Sequence, residues 1–388
     1  MMKKVSAPSN LDSRVLMLSM RNLKYHVSRG AVYELEDVIQ SCDAVDVIAP
    51  KFNPTFFKVT NRIANCTANI FKNGKYFQSL VNQKIEVNKN YDLFFFFCQS
   101  IQDVLILNSI KGWRERCRYA VCWLDELWAK DINSWLPQLR VLEDFDNIFL
   151  NFEGSISQVA DVVRRPCHSL PYAVDAIKLC PYPNLTERCV DVLNIGRRST
   201  VTHNALLDLV KHKNLFYIYD TIQDLYMADY RSHRGLYTNF LKRSRYMIVN
   251  KAKFDLTGKS NPQEEVGPRF YEGAAAGTIM LGVPPKCTAF TQNFDWSNAV
   301  IEIPFDCSNI AEVITELNQS NITEKIRKEN ITNSLLRHDW VYRWETILKI
   351  VGLETTPQIQ ARKAVLEKLA YTVNASTSDN HNPQLAWN

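Results

Sequence analysis

The chain has 388 residues, 46% of them apolar, with 16 Tyr, 19 Phe and 8 Trp against 12 Gly and 15 Pro; this excludes disordered, collagen-like and low-complexity classes and is more than one core usually serves, so two domains are expected. The net charge is +5, with basic residues scattered rather than gathered in a stripe, which argues against nucleic acid as a partner and for a small phosphate-bearing ligand. The longest apolar run, Leu93 to Cys98, is far short of the roughly 20 residues a membrane span needs, and the polar start Met1-Met2-Lys3-Lys4 has no signal-peptide core. The expectation is a cytoplasmic protein, with peripheral membrane contact left open and oligomeric state unread.

Ten short apolar runs recur between polar helical stretches. They are Val15–Ser19, Val45–Ala49, Leu93–Cys98, Tyr119–Trp123 and Asn147–Leu150, then Asp191–Ile195, Phe216–Ile218, Tyr246–Asn250, Thr278–Val283 and Ala299–Ile303. Runs of this length between helical patterns read as buried parallel strands of βαβ units, so the expected fold class is α/β with two doubly wound, Rossmann-like halves. Pro166, Pro171, Pro181 and Pro183 crowd the stretch Arg164–Arg188; proline holds itself and its predecessor extended, which suits a linker. The expected organisation is a first domain over 1–170, a second over 171–350, and a C-terminal helix with a loose tail over 351–388. The pattern is helical from Asn309 to Ile350 and around Ala361–Tyr371, and Asn374–Pro383 reads as loose. The ten cysteines form neither a Cys-x-x-Cys pair nor a cluster of metal-ligand spacing, so they read as small hydrophobes and no metal site is expected.

The most informative stretch runs from Asn261 to Gly282. It starts polar, passes through Gly267-Pro268, becomes helical and rich in small residues up to Gly277, and ends apolar. Pro268 suits a first helical position and Gly277 a helix end. A helix N-terminus preceded by glycine presents free backbone N–H groups and partial positive charge to a phosphate, and Arg269 adds a full charge. Glu272, about one turn into the helix, is placed to accept hydrogen bonds from a diol such as ribose, and Glu264 lies before the same helix end. Together these describe a nucleotide-sugar site. A second element is the run Asp191–Ile195 ending in Gly196-Arg197-Arg198, where glycine admits a phosphate close to the backbone and arginine neutralises it. Asn250-Lys251-Ala252-Lys253 follows another strand, and its loop is expected to open on the same face as Gly196. Tyr230 to Gly235 carries Arg231, His233 and Arg234 ahead of a helical run.

Glu264 and Glu272 are separated by seven residues, with Gly267 three after the first and Gly277 five after the second. This resembles the E-x7-E donor motif of GT-B glycosyltransferases. The wording from Arg269 to Gly277, followed by His338 to Glu345, is similar to the branch that includes spore-maturation CgeB-like proteins; the match covers residues 190–350 and is architectural before that. The resemblance implies two Rossmann-like domains facing a cleft, donor in the second and acceptor in the first, with terminal helices crossing back. It implies that Glu272 binds the ribose hydroxyls and Glu264 the transferred sugar, with Gly267, Pro268 and Arg269 by the diphosphate. Glu265-Val266 stands where the family carries small and aromatic residues, so Glu264 and Glu265 both remain candidates for the sugar-facing carboxylate. Gly196-Arg197 resembles the Gly-Arg that opens the family's donor domain. The lysine that usually follows is missing before Lys211, leaving Arg198 and Lys251 to substitute.

The implied activity is that of a hexosyltransferase-like glycosyltransferase using a UDP- or GDP-sugar as co-substrate, with no tightly bound cofactor, no metal, and a lean towards retention. The acceptor class is a glycan, a lipid-linked or a small molecule. Glu264, Arg197 and Asp125 form the candidate catalytic set. Asp125-Glu126 follows the run Tyr119–Trp123 and is the best carboxylate in the first half for a general base, with His26 behind it; Ser28-Arg29-Gly30-Ala31 opens a helical stretch expected to face the cleft. Asp144-Phe145-Asp146 precedes its strand and poorly matches a metal signature. Trp340, Trp344 and Ile347 fall at helical spacing and read as core, with Arg343 serving an interface. Two alternatives stand beside this reading, a nucleotide-sugar epimerase on the same fold and a non-catalytic sugar-nucleotide or polysaccharide binding protein.

Overall fold

The computed structural model describes residues 4–6, 13–78, 84–213, 215–221, 225–252 and 262–376. They fall into two compact units. The first takes Met1–Pro171, Leu225–His233 and Arg343–Ile359; the second takes Tyr172–Asp224, Arg234–Tyr342 and Gln360–Asn388.

A small parallel sheet in the first unit joins β1 (Lys4–Ser6), β4 (Lys84–Glu86) and β6 (Ile110–Lys111). The main sheet of that unit contains β2 (Val15–Leu18), β3 (Val45–Ile48), β5 (Tyr91–Cys98), β7 (Cys117–Leu124), β8 (Asn147–Leu150) and β9 (Cys167–Ser169), all parallel in the order β3-β2-β5-β7-β8-β9. Helices α1 (Gly30–Cys42), α2 (Pro54–Ile70), α3 (Leu136–Leu139) and α4 (Ile156–Val163) connect them. The near-continuous apolar run of β5 is explained by burial on both faces. Phe94 and Phe96 enter one core with Leu16, Ala120 and Ile148, and Phe94 lies 4.5 Å from the Trp113 ring. Phe95 points the other way, onto Trp344 at 5.4 Å.

In the second unit β10 (Val190–Asn194), β11 (Tyr217–Tyr219), β12 (Ser244–Asn250), β13 (Ile279–Val283) and β14 (Ile301–Glu302) are parallel in the order β11-β10-β12-β13-β14. Register sets Val192 beside Tyr217 and Tyr246, and Tyr246 beside Ile279. The helices following Pro171 are α5 (Ala176–Leu179), α6 (Thr200–Lys213), α7 (Tyr230–Arg243), α8 (Pro268–Ala276), α9 (Thr288–Asn293), α10 (Ile310–Gln319), α11 (Thr323–Arg337), α12 (Trp340–Ile350) and α13 (Pro357–Ala375).

All ten expected strands are present, shifted by a few residues at their ends. Four strands of two or three residues were not legible. One of them, β9, lies inside the proline-rich stretch read as linker; it starts directly after Pro166, at the sheet edge where a missing N–H is tolerated. The helix expected over Ala361–Tyr371 extends in both directions as α13, so Asn374 and Ala375 are helical, contrary to the loose reading. Lys253, Asn261 and residues 377–388 lie outside the described residues.

The aromatic stripe is core, since Trp340, Trp344 and Ile347 are buried. The Trp344 indole N–H donates to Asp43 Oδ2 at 3.1 Å, and Asp43 is held in turn by Arg14 at 2.8 Å. Arg343 donates to the Pro171 carbonyl at 2.7 Å, a packing role. In the second unit Asp339 is wholly buried; Arg362 donates to both its oxygens, at 2.8 and 2.7 Å, and to Asp175 at 2.7 Å. Replacing Trp344 by Ala removes a fully buried indole, and such truncations cost about 3–5 kcal/mol. Urea unfolding should therefore show a large loss for Trp344→Ala and a smaller one for Trp344→Phe. A cost under about 1 kcal/mol would mean that the stripe is not core.

Candidate functional site

Because every strand of the second sheet runs the same way, all carboxyl ends share one edge, and the helices that follow begin there. The order reverses at β10, whose two neighbours are β11 and β12. Such switch points open a crevice outside the strand ends where ligands bind in α/β sheets. Gly196, Arg197 and Arg198 follow β10 and Lys251 follows β12, so these candidates from the sequence collect at this crevice, joined by Asp220 after β11. The helix α8 between β12 and β13 starts at the same edge, with Gly267 as its cap residue and Pro268 first.

Gly196 has φ +93°, a conformation that favours glycine. Its N–H donates to Asp220 Oδ1 at 2.8 Å. The space of a side chain at this position is taken by Arg269, since a Cβ on Gly196 would stand 2.7 Å from Arg269 Nη2. The Gly-Arg-Arg turn and the first turn of α8 thus meet directly, and Arg269 also donates to the Tyr237 hydroxyl at 3.3 Å. Arg197 is exposed beside this contact. Arg198 turns inward: it donates to the Asp220 carbonyl at 2.5 Å, pairs with the Asp220 carboxylate at 3.3 Å, and lies over the Tyr219 ring at 5.2 Å. Its geometry is that of a brace for the turn.

Glu272 is buried, and Arg234 Nη1 donates to its Oε1 at 2.5 Å. Burial, followed by the Glu272 charge, pushes the Tyr237 hydroxyl well up, which ties Tyr237 to the same group. Glu264 is part-exposed. Lys251 Nζ donates to one of its oxygens, and the Lys286 N–H donates to the other at 2.7 Å. Partial burial opposes ionisation of Glu264, but the Lys251 hydrogen bond, the Lys286 amide and both ammonium charges outweigh it and hold the carboxyl below its usual range. Glu265 is buried and accepts from Gln263 Nε2 at 2.6 Å. Of the two adjacent glutamates, Glu264 therefore presents the more accessible carboxylate. The far end of α8 is fixed by Gly277 in the left-handed conformation at φ +65°, with the Thr278 N–H donating to the Gly273 carbonyl at 3.0 Å in a Schellman-type closure.

In the first unit the strand order reverses at β2, between β3 and β5. Asp125 lies just past β7 and accepts from Asn151 Nδ2 at 3.1 Å. Burial, helped by the neighbouring Glu126 charge, raises its carboxyl to about 7, against the pull of Arg29, Gln99 and Asn151. Arg29 is buried and donates to Asp103 at 2.5 Å, with Lys24 on the other Asp103 oxygen at 3.0 Å. The Ser28 to Ala31 stretch is thus anchored into the unit by its arginine. His26 accepts from the Ser28 N–H at 3.2 Å, a local cap. Asp144 pairs with Lys75 at 3.0 Å and Asp146 with Arg114 at 2.9 Å, so both carboxylates of the Asp-x-Asp are occupied by basic side chains.

No protein-family model matches the sequence, and none of the curated proteins does. Solved structures are similar in fold. One is an alpha,alpha-trehalose-phosphate synthase (UDP-forming) from Burkholderia vietnamiensis, 9% identical, with TM-score 0.52 over 88% of this chain and 100% of that one. Another is HepE of Anabaena in complex with UDP, 10% identical, with TM-score 0.50 over 87% and 99%. A third is an alpha-glucosyltransferase in complex with UDP and a 13-mer DNA, 12% identical, with TM-score 0.51 over 87% and 99%. The fold is GT-B.

In this GT-B fold the Gly-Arg turn and the α8 helix are legible from the sequence, whereas three residues that complete the cluster are less so. Asp220 had the signal used for Asp125, a carboxylate directly after an apolar run. Arg234 was read only as one of several basic residues, and Tyr237 carried no signal, because its role depends on how α7 packs beside α8.

Two expectations follow from this geometry. Gly196→Ala should lower stability through its positive φ, about 1–2 kcal/mol, since the flexible end of Arg269 can move aside at little cost. Chemical denaturation of Gly196→Ala should show that loss, and a change under about 0.5 kcal/mol would contradict the strained backbone. Asp125 has a folded-state pKa of about 7, above the roughly 3.9 of an unfolded chain. Its contribution to stability therefore falls as pH rises from about 4 to about 7. Thermal melts should show Asp125→Asn gaining on the wild type between about pH 5 and about pH 8, and a constant difference between them would refute the raised pKa.

Proposed function

We propose that the chain is a glycosyltransferase moving a sugar from a UDP- or GDP-sugar to a glycan, lipid-linked or small-molecule acceptor. The observation that carries this reading is the contact of Gly196 with Arg269 at the switch point of the second sheet, where a backbone turn, a guanidinium and a helix N-terminus converge on one place suited to a diphosphate. HepE and the alpha-glucosyltransferase, which share the fold, hold UDP.

In this reading the E-x7-E pair divides the donor. Glu272, held by Arg234, receives the ribose hydroxyls, and Glu264, held by Lys251, receives the sugar hydroxyls. As the sugar leaves, negative charge grows on the diphosphate. Arg197, Arg269 and the N-terminus of α8 would meet it in this reading, which favours a metal-independent transfer. The glutamate pair leans the assignment towards retention and the CgeB-like branch. Asp125, with a carboxyl near 7, has the basicity to take a proton from an acceptor hydroxyl at neutral pH.

The two glutamates grip different ends of one ligand, so they should separate in experiment. Glu264→Gln should leave UDP or GDP affinity unchanged in calorimetry while turnover with the cognate nucleotide sugar falls about tenfold or more, since Gln keeps the shape and loses the charge-assisted bonds. If Glu265→Gln shows this pattern and Glu264→Gln is silent, the register is off by one. If neither changes a demonstrated transfer, the loop does not hold the sugar. A new sugar isomer formed without any acceptor would instead make the protein an epimerase.

A further inference from the structure

Helix α2 in the first unit carries apolar residues on both its buried and its exposed face. Its inward face packs Phe57, Ala64 and Ala68 into the core beside Thr60, Asn61 and Asn65, and the polar groups are satisfied there: Asn65 Nδ2 donates to the Gln102 carbonyl at 3.0 Å, and Gln138 Nε2 donates to Asn65 Oδ1 at 3.0 Å. Its outward face carries Phe56, Val59, Ile63, Cys66 and Ile70 at alternating spacings of three and four, and Phe71 follows. Ile63 is 60% exposed, Ile70 75% and Phe71 67%. An ordinary surface helix points such residues at the core. A contiguous apolar face of this kind marks a surface that meets something.

Charge identifies what it meets. From Lys51 to Gln78 the sequence contains Lys51, Lys58, Arg62, Lys72 and Lys75 and no acidic residue, and all five basic side chains are exposed. At the C-terminal end of α2 a cavity of about 690 Å³ continues the basic surface, its wall including Lys72, Arg140, Arg164 and Arg165 against Asp161, with Lys75 paired to Glu143 and Asp144. Two copies of this face would bring like charges together without a carboxylate on α2 to answer them, which disfavours self-association. A sheet of anionic headgroups above hydrocarbon complements both the apolar stripe and its basic flanks. No helix among the described residues is long and apolar enough to cross a membrane, so α2 would lie along the surface.

We propose that the α2 face docks the protein onto membranes containing anionic lipid, with Phe56, Val59, Ile63, Ile70 and Phe71 in the headgroup–acyl boundary and Lys58, Arg62 and Lys72 against the headgroups. The site is independent of the donor reading, because it is tested without nucleotide.

The full chain is sedimented with vesicles of phosphatidylcholine containing about one-third phosphatidylglycerol, and with pure phosphatidylcholine. Binding is expected to the first and not the second, and to weaken in high salt. Ile63→Glu/Ile70→Glu should abolish it. Lys58→Ala/Arg62→Ala should weaken it about thirtyfold, roughly fivefold for each basic residue at the surface. Since all four side chains are exposed, melting curves of both variants should match the wild type, and the charge variant tests the proposal even if the apolar one unfolds. Equal binding to both vesicle types, no binding to either, or undiminished binding by a folded Ile63→Glu/Ile70→Glu variant would overturn it. So would a concentration-dependent dimer in sedimentation velocity that this variant dissolves, which would assign the face to a second copy.

Discussion

The constraint on which the rest depends is that both main sheets are wholly parallel. A parallel strand must be followed by a crossover, here mostly helical, so each unit gathers its strand ends and its following helix N-termini on one edge. Chemistry that needs backbone N–H groups, a helix dipole and several loops at once has one place to assemble. In the second unit that place is further narrowed by the reversal at β10, and Gly196, Asp220, Lys251 and the start of α8 come from four separate parts of the chain to meet it.

The polar groups at this edge are held before any ligand arrives. Arg269 lies in the space left by Gly196, Arg198 braces the turn through Asp220, Glu272 is paired with Arg234, and Glu264 is suspended between Lys251 and the Lys286 amide. Such pairing offsets part of the cost of burying charge and fixes each side chain in one rotamer, so a ligand need not order them. Positive and negative groups alternate through the cluster.

Much of this was legible in the sequence because buried parallel strands announce themselves as short apolar runs, and because glycine and proline punctuate α8 at both ends. The strands that escaped are too short for any periodicity, and β9 is masked by the proline beside it. The candidate site was readable where a residue sits directly after a strand or at a helix start, as with Gly196, Lys251 and Arg269. It was not readable where function depends on packing between helices. Nothing in the order of residues says that Arg234 on α7 faces Glu272 on α8. The exposure of the second apolar stripe of α2 was hidden for a similar reason, since two apolar stripes are visible in sequence and packing chooses the one with Phe57, Ala64 and Ala68 for the core, where Asn65 meets Gln138 and the Gln102 carbonyl.

The late return of the chain to each unit has a consequence for its synthesis on the ribosome. The partner of Phe95 in the first unit is Trp344, and the partner of Asp175 and Asp339 in the second is Arg362. While translation proceeds through the second unit, the apolar face around Phe95 lacks its cover, and the two buried carboxylates lack their guanidinium until α13 is made. Each unit therefore completes its packing only once α12 or α13 has been made, and a nascent chain stalled before α12 displays both defects to the chaperones that survey it.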